Sequence, residues 1–383
     1  MEQMNDIFAP TQIAGIKFQN KMLRAATHEG MADELGRPTE SLVKLYEQLA
    51  KGEVGGIITG YIGVSAEGKT TFPGMTMLDK DENIASFQAM TDSVHQAGCP
   101  IIAQIAHCGR NGVAGSKGKV SSFSDEGIRK VIDDFVMAGI RAQKSGFDGV
   151  EIHCAHGYLL SEFLSPKTNK RKDNWGGTPE NRFSIVLEIV KGIKKALPDY
   201  PVFVKLNGQE RGGIQTADAC AYALMCEKAG VNAIEVSCGL SDDFFMVTRG
   251  EVPYDMLCHD YPMMKDMPKV IQTIVKPVVK AKLKSPEPLR MYNVDAALAI
   301  KAKVNIPVIA VGGIHDISEI RGALFAGLEA VSISRPLVLE PTLIQKFKKG
   351  KQTEAKCINC NHCLIGISQR PLRCYYGRIP NMD

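Results

Sequence analysis

The run from Gly149 to Pro166 carries the densest chemistry in this chain: an apolar stretch, Gly149-Val-Glu-Ile-His153, is followed at once by His156 and Tyr158. A parallel α/β protein places its reactive groups at the C-terminal ends of its strands. Two imidazoles three residues apart can grip one oxygen, and a nearby phenol can supply a proton. His-x-x-His also admits a metal site, or two histidines hydrogen-bonded in a core. The metal alternative needs a third ligand, for which Glu151 is the nearest candidate. The Gly-, Pro- and Asn-rich loop from Ser165 to Arg182 favours the substrate grip, because such loops at strand ends carry function.

Two other groups of residues have chemical meaning. The stretch Ile306 to Ile314 ends in Gly312-Gly313, and Ala330-Val-Ser-Ile-Ser334 runs into Arg335. Paired glycines let backbone N–H groups approach an anion, and an arginine adds a charge-assisted contact, so both loops read as a phosphate cradle. The alternative for Gly312-Gly313 is a plain tight turn. Near the end of the chain stand Cys357, Cys360, Cys363 and Cys374. Thiolates at two-residue spacing can wrap a [4Fe-4S] cube with a more distant cysteine closing it, and the same four could hold zinc. His362 inside that motif reads as a solvent-facing neighbour.

The elements that position these residues follow from hydrophobic runs: Met22 to Ala26, Gly56 to Thr59, Ile101 to Ala106, Gly149 to His153, Val202 to Asn207, Ala233 to Ser237, Val308 to Gly312 and Ala330 to Ser334. Their nearly continuous hydrophobicity suits parallel strands buried on both faces, and helical patterns such as Ile128 to Ser145 and Asn181 to Leu197 separate them. Eight such units predict an α/β (β/α)8 TIM barrel, with the phosphate loops after strands seven and eight. A doubly wound sheet would show Gly-x-Gly-x-x-Gly after its first strand, and none follows Met22 to Ala26. Residues 239–293, after the sixth strand, exceed a usual βα connection and predict a lid or capping insertion. Its stretch Met267 to Lys284 has an apolar face expected to pack on the barrel or on a partner subunit, with lipid attachment as a lesser alternative. The expected division is a barrel over residues 1–350 and a Cys-rich tail over 351–383.

Bulk properties agree. Of 383 residues, 44% are hydrophobic and 23% charged, which gives material for a large core. A net charge of +4 is too mild to predict nucleic-acid binding but suits an anionic cofactor. No run is long and apolar enough to span a bilayer, and the start Met-Glu-Gln-Met-Asn-Asp lacks the pattern of a signal peptide. The 11 cysteines, most placed singly, do not form a disulfide framework. A cytoplasmic enzyme is the expectation.

The chain resembles the Old Yellow Enzyme family of FMN-dependent oxidoreductases, and especially the branch of 2,4-dienoyl-CoA reductase and trimethylamine dehydrogenase. The likeness runs from Phe8 to Cys374 and rests on several motifs in order: Asn20 to His28, Ala103-Gln104-Ile-Ala-His107-Cys-Gly109-Arg110, the His153/His156/Tyr158 run and both phosphate loops. The resemblance implies that Ala25, Ala26, Thr27, Gly60 and Tyr61 line the flavin and that Gln104 bonds its pyrimidine edge. It places Lys205 where the family usually has an arginine beside flavin N1 and O2, and gives the phosphate to Gly312, Gly313, Ser334 and Arg335. His153 and His156 then hold a substrate carbonyl while Tyr158 protonates the α-carbon. His28 is a departure, since other members carry Thr or Cys there; the dienoyl-CoA reductases share the His.

In that branch a similar cysteine run binds [4Fe-4S] and receives electrons from a second, FAD-containing half, which this chain lacks; an external electron-donor protein is one expected partner. The expected function is FMN-dependent, NAD(P)H-driven reduction of an activated C=C bond in an enone, enoate or enoyl thioester. Two alternatives stay open: an electron-transfer flavoprotein subunit of a larger complex, and a non-redox barrel enzyme acting on a phosphorylated substrate. A homo-oligomer is expected.

Overall fold

The computed structural model describes residues 7–378. The first six residues, read above for a signal peptide, and residues 379–383 of the tail lie outside the described residues. A short antiparallel hairpin, β1 (Thr11–Ile13) and β2 (Ile16–Phe18), precedes the strands β3 (Met22–Arg24), β4 (Gly56–Ile58), β5 (Ile62–Gly63), β6 (Ile101–Ala106), β7 (Gly149–Cys154), β8 (Val202–Asn207), β9 (Ala233–Ser237), β10 (Val308–Val311) and β11 (Ala330–Ile333). Strands β3, β4, β6, β7, β8, β9, β10 and β11 pair in parallel, and the β4–β6 pairing closes them into a barrel, with β5 extending the line after β4. All eight runs read from the sequence are barrel strands, within two residues at their ends.

Helices α1 (Glu40–Lys51), α2 (Ile84–Gln96), α3 (Asp125–Lys144), α4 (Leu159–Leu164), α5 (Pro179–Ala196) and α6 (Thr216–Ala229) follow the first five barrel strands. Their ends have local causes. Ser124 and Thr178 accept backbone N–H groups at the starts of α3 and α5, Pro179 opens α5, and Gly230 at φ 93° ends α6. After β9 come α7 (Phe244–Val247), α8 (Tyr254–Asp260), α9 (Pro262–Lys265), α10 (Lys269–Lys282) and α11 (Val294–Lys301). Then α12 (Ile317–Phe325), α13 (Arg335–Leu339), α14 (Leu343–Lys348) and α15 (His362–Gly366) complete the order.

The barrel interior is layered. At its N-terminal end Leu23, Ile58, Ile102, Phe203, Ala233, Ile309 and Ala330 pack with Ile13, Ile16 and Phe18 of the hairpin, which plugs that end with apolar surface. Further along the strands the interior turns polar: Gln104, Glu151, Lys205 and Glu235 are all buried there, with Gln104 opposite Glu151 and Lys205 opposite Glu235 in register. The larger core lies between the barrel and its helices.

The insertion and the tail pack on each other. Met256 and Leu257 of α8 cluster with Ile365 and Tyr375, and Arg370 pairs bidentately with Asp260 at 2.6 and 2.7 Å. The outer face of α10 is left uncovered by the barrel, one of the two places where it was expected to pack. Val270, Ile271, Ile274 and Val278 point to solvent, with Val270 72% exposed, while Val279 and Leu283 turn toward the barrel mouth. The apolar residues form one broad face of this helix, and only its edge reaches the barrel mouth.

Candidate active site

A cavity of about 870 Å³ opens at the C-terminal end of the barrel. Ala25, Ala26, Thr27, Tyr61, Gln104, His153, His156, Tyr158, Lys205, Gly312, Gly313, Ser334 and Arg335 all contribute to its wall. Gly60 is not part of that wall. Its N–H donates to Glu29 at 3.0 Å and to the Tyr46 hydroxyl at 3.1 Å, and a Cβ on Gly60 would stand 2.0 Å from Glu29 Oε2. Glu29 in turn pairs with Arg24 at 2.6 Å, so Gly60 rests on a buried network behind the first two strands.

The three groups at the end of β7 converge. His153 is 2% exposed, with its ring 5.0 Å from that of His156 and 5.2 Å from that of Tyr158. His156 adopts φ 62°, a left-handed conformation that turns the chain toward the cavity; its Nε2 meets the Ser237 hydroxyl at 2.7 Å. The Nδ1 atom of His153 is buried with no hydrogen-bond partner, an orphan that a bound group can satisfy. Burial first, then the Lys205 charge, and for His153 also the neighbouring His156, holds both imidazoles well below the usual histidine range. Both are therefore neutral near pH 7 and can each donate one N–H to an oxygen. Burial pushes the Tyr158 phenol up, so it keeps its proton. Tyr61 lies edge-on to Tyr158 at 5.4 Å and stacks on His28 at 5.0 Å, and the His28 Nε2 meets the Pro73 carbonyl at 3.0 Å.

Around the rest of the wall, Lys205 donates to Glu235 at 2.5 Å and Gln104 to Glu151 at 2.5 Å. Glu151, the candidate third metal ligand, thus turns to Gln104. After β10, Gly312 and Gly313 have φ 130° and 69°. A Cβ on Gly313 would stand 2.5 Å from the Leu289 carbonyl, and one on Gly312 would stand 2.5 Å from the Tyr292 ring. Only glycine lets the backbone line the cavity there. Ser334 meets Thr27 at 2.8 Å, and buried Arg335 donates to the Arg249 carbonyl at 2.8 Å and to Asn361 at 2.6 Å.

Asn361 lies inside the cysteine motif, and Leu364 and Ile365 behind it complete the cavity wall. Asn359 and Asn361 adopt φ 57° and 59°, winding the chain between the cysteines. Cys357, Cys360 and Cys363 each feel the charge of Cys374, and burial raises their thiols, that of Cys363 to about 12. Among the described residues no three His, Cys, Asp or Glu side chains converge as a metal site. A cube holds each thiolate on a separate iron and tolerates wider spacing.

The residues fit a flavin mononucleotide. A largely apolar cavity carries an amide and a cation on β6 and β8, and glycine backbone and an arginine after β10 and β11. Comparison with known proteins decides the family: the profile of the NADH:flavin oxidoreductase / NADH oxidase family matches residues 6–239. The chain belongs to that family. That is the family the motifs implied, and the profile of dihydrouridine synthases matches residues 284–370.

It is 30% identical to the NADH oxidase of Thermoanaerobacter brockii over 96% of this chain and 54% of that protein. Solved structures share the barrel. A complex of 2-naphthoyl-CoA reductase with 2-naphthoyl-CoA aligns at TM-score 0.76 and 22% identity, covering 94% of this chain and 54% of its own. An Old Yellow Enzyme homologue from Zymomonas mobilis aligns at 0.71 and 21%, covering 96% and 99%. The chain spans about half the length of the first curated relatives it matches. No helix among the described residues of this oxidoreductase is long and apolar enough to cross a membrane.

Several wall residues escaped the sequence reading. Ser237 sits at the end of a barrel strand and could have been found by the rule that named His153. Leu364 and Ile365 come from the tail and carried no signal beyond the neighbouring cysteines, as does Asn361, which meets the wall residue Arg335.

Proposed function

We propose that this flavin oxidoreductase reduces the activated C=C bond of an α,β-unsaturated carbonyl compound with NADH or NADPH as reductant. The observation that carries the reading is the convergence of His153, His156 and Tyr158 on one cavity with the residues fitted to FMN. FMN, when bound, supplies hydride transfer. Gln104 and Lys205 hold its pyrimidine edge, Ala25, Ala26, Thr27 and Tyr61 flank the ring, and Gly312, Gly313, Ser334 and Arg335 take its phosphate. Neutral His153 and His156 donate to the substrate carbonyl oxygen and stabilise charge that gathers there. Tyr158 delivers its proton to the α-carbon. The cavity mouth formed by the 239–293 insertion, through residues such as Phe245, Met246 and Leu257, selects the substrate.

The tail, residues 351–383, holds a [4Fe-4S] cluster on Cys357, Cys360, Cys363 and Cys374 in this reading. Support comes from the spacing and from the left-handed Asn359 and Asn361, which build the kind of backbone nest found at iron–sulfur sites. A second reading, an electron-transfer subunit fed by a donor protein, is favoured by the Arg335 to Asn361 bond, which joins the phosphate site to the cysteine motif.

An anaerobic absorbance spectrum of the purified chain with iron analysis, followed by NADH or NADPH plus cyclohexenone, tests both. Bound flavin and enone-dependent oxidation of the nicotinamide are expected, with about four irons per chain. Flavin and iron without enone turnover would favour the electron-transfer reading, and a colourless protein would overturn both.

A further inference from the structure

Glu151 is fully buried in the middle of the barrel, and its carboxylate is not part of the cavity wall. It stands one layer behind, where Oε2 accepts from the Gln104 amide at 2.5 Å and Oε1 has no partner. The Gln104 N–H₂ is thereby engaged away from the cavity, leaving its carbonyl as the acceptor presented inward. The charged groups that face Glu151 are Lys205 on β8 and Glu235 on β9. Along its own strand, Cys154 feels its charge. Below it lies the apolar plug of the barrel.

The layer therefore contains two carboxyl groups and one ammonium, and Lys205 is already bonded to Glu235 at 2.5 Å. The Glu235 Oε1 atom is likewise without a partner. Two buried carboxylates sharing one cation cannot both stay ionised cheaply. Desolvation first, and the Glu235 charge second, raise the Glu151 carboxyl to about 8, against the opposing pull of Lys205. Negative charge added next to this layer works in the same direction, because it makes an ionised Glu151 costlier still.

We propose that Glu151 is a positioning residue of the flavin site: it fixes the Gln104 amide with its carbonyl toward the cavity, and it gains a proton when electrons enter the cofactor. The inference rests on the proposed FMN site. At alkaline pH, where Glu151 is ionised before reduction, one solvent proton would bind its carboxylate when a hydride passes from NADH to FMN, once bound, and no other bond to Glu151 would form or break. The resulting neutral acid leaves the Lys205 charge to balance the pyrimidine edge. Glu151 touches neither substrate nor reacting atoms; it acts through Gln104 and Lys205.

The test is a potentiometric titration of the FMN-loaded full chain from about pH 6 to pH 10, with wild type and Glu151→Gln compared. In the wild type the protons taken up per electron pair rise from about one to about two above neutral pH, whereas in Glu151→Gln they stay at about one throughout. Identical pH slopes in the two proteins would overturn the proposal, even if the variant bound FMN more weakly, since weaker binding alone is what a packing role predicts. Should Glu151→Gln fail to fold, infrared difference spectra of the wild type on dithionite reduction decide: a new protonated-carboxyl band at alkaline pH supports the proposal, and its absence sinks it. A wild-type chain that holds no FMN would instead defeat the flavin reading itself.

Discussion

In the proposed reaction Tyr158 separates two half-reactions. It lines the substrate side of the cavity next to His153, and burial keeps its proton in place across the working range. Tyr158→Phe removes the acid without changing the ring volume much. Enone turnover is therefore expected to fall by roughly 10²- to 10⁴-fold, while anaerobic flavin reduction by NADH, followed by stopped-flow bleaching, keeps its rate. Equal losses in both half-reactions would mean that the phenol shapes the flavin site instead. Lys205 shows how a substitution reads at this scale: the charge expected of the family's arginine is kept, but the ammonium reaches Glu235 with one short bond where a guanidinium would fork.

At the scale of single elements, the loop after β10 and the hairpin at the barrel's base make opposite demands. Gly313 has φ 69° and the Leu289 carbonyl 2.5 Å from where a Cβ would be. Gly313→Ala must shift the loop, at a cost of order 1–3 kcal/mol. FMN affinity, read from the fluorescence of released cofactor, should fall by about tenfold or more. The hairpin does structural work only. Phe18 is 1% exposed and fills the barrel's N-terminal end against Ile102 and Phe203. Phe18→Ala should cost about 3–5 kcal/mol in denaturant unfolding, with the FMN affinity of the folded fraction unchanged.

For the molecule as a whole, acid is the weak side. His28, His153 and His156 are held below the ordinary histidine range by burial, and His107 and His315 are lowered to about 4. A buried neutral histidine binds fewer protons folded than unfolded, so its contribution is present above the unfolded value of about 6.5 and is lost as pH falls toward the folded value. Among the histidines His95, raised by Asp148 at the surface, opposes this trend, and so does the Glu151 carboxyl, raised to about 8. Thermal scans should show Tm steady near neutrality and falling steadily between about pH 6.5 and pH 4, as the folding free energy drops by up to about 1.4 kcal/mol per histidine per pH unit. A Tm that held constant down to pH 4 would contradict the burial of these rings.

The strands were legible because burial on both faces writes an uninterrupted apolar run into the chain, and His153, His156, Tyr158 and the paired glycines were legible because each stands where such a run ends. Those are local facts, so sequence alone determined the barrel and most of its mouth. Partnership across the barrel is not local. That Gln104 leans on Glu151, that Lys205 is shared with Glu235, that Arg335 reaches Asn361 and that the cysteine tail helps wall the cavity depend on strands and loops brought together from distant positions. The same holds for Gly60, whose close approach to Glu29 removes it from the wall. Hydrogen bonds and charges act over a few ångströms in space, and closure of the barrel alone decides which residues come within that reach.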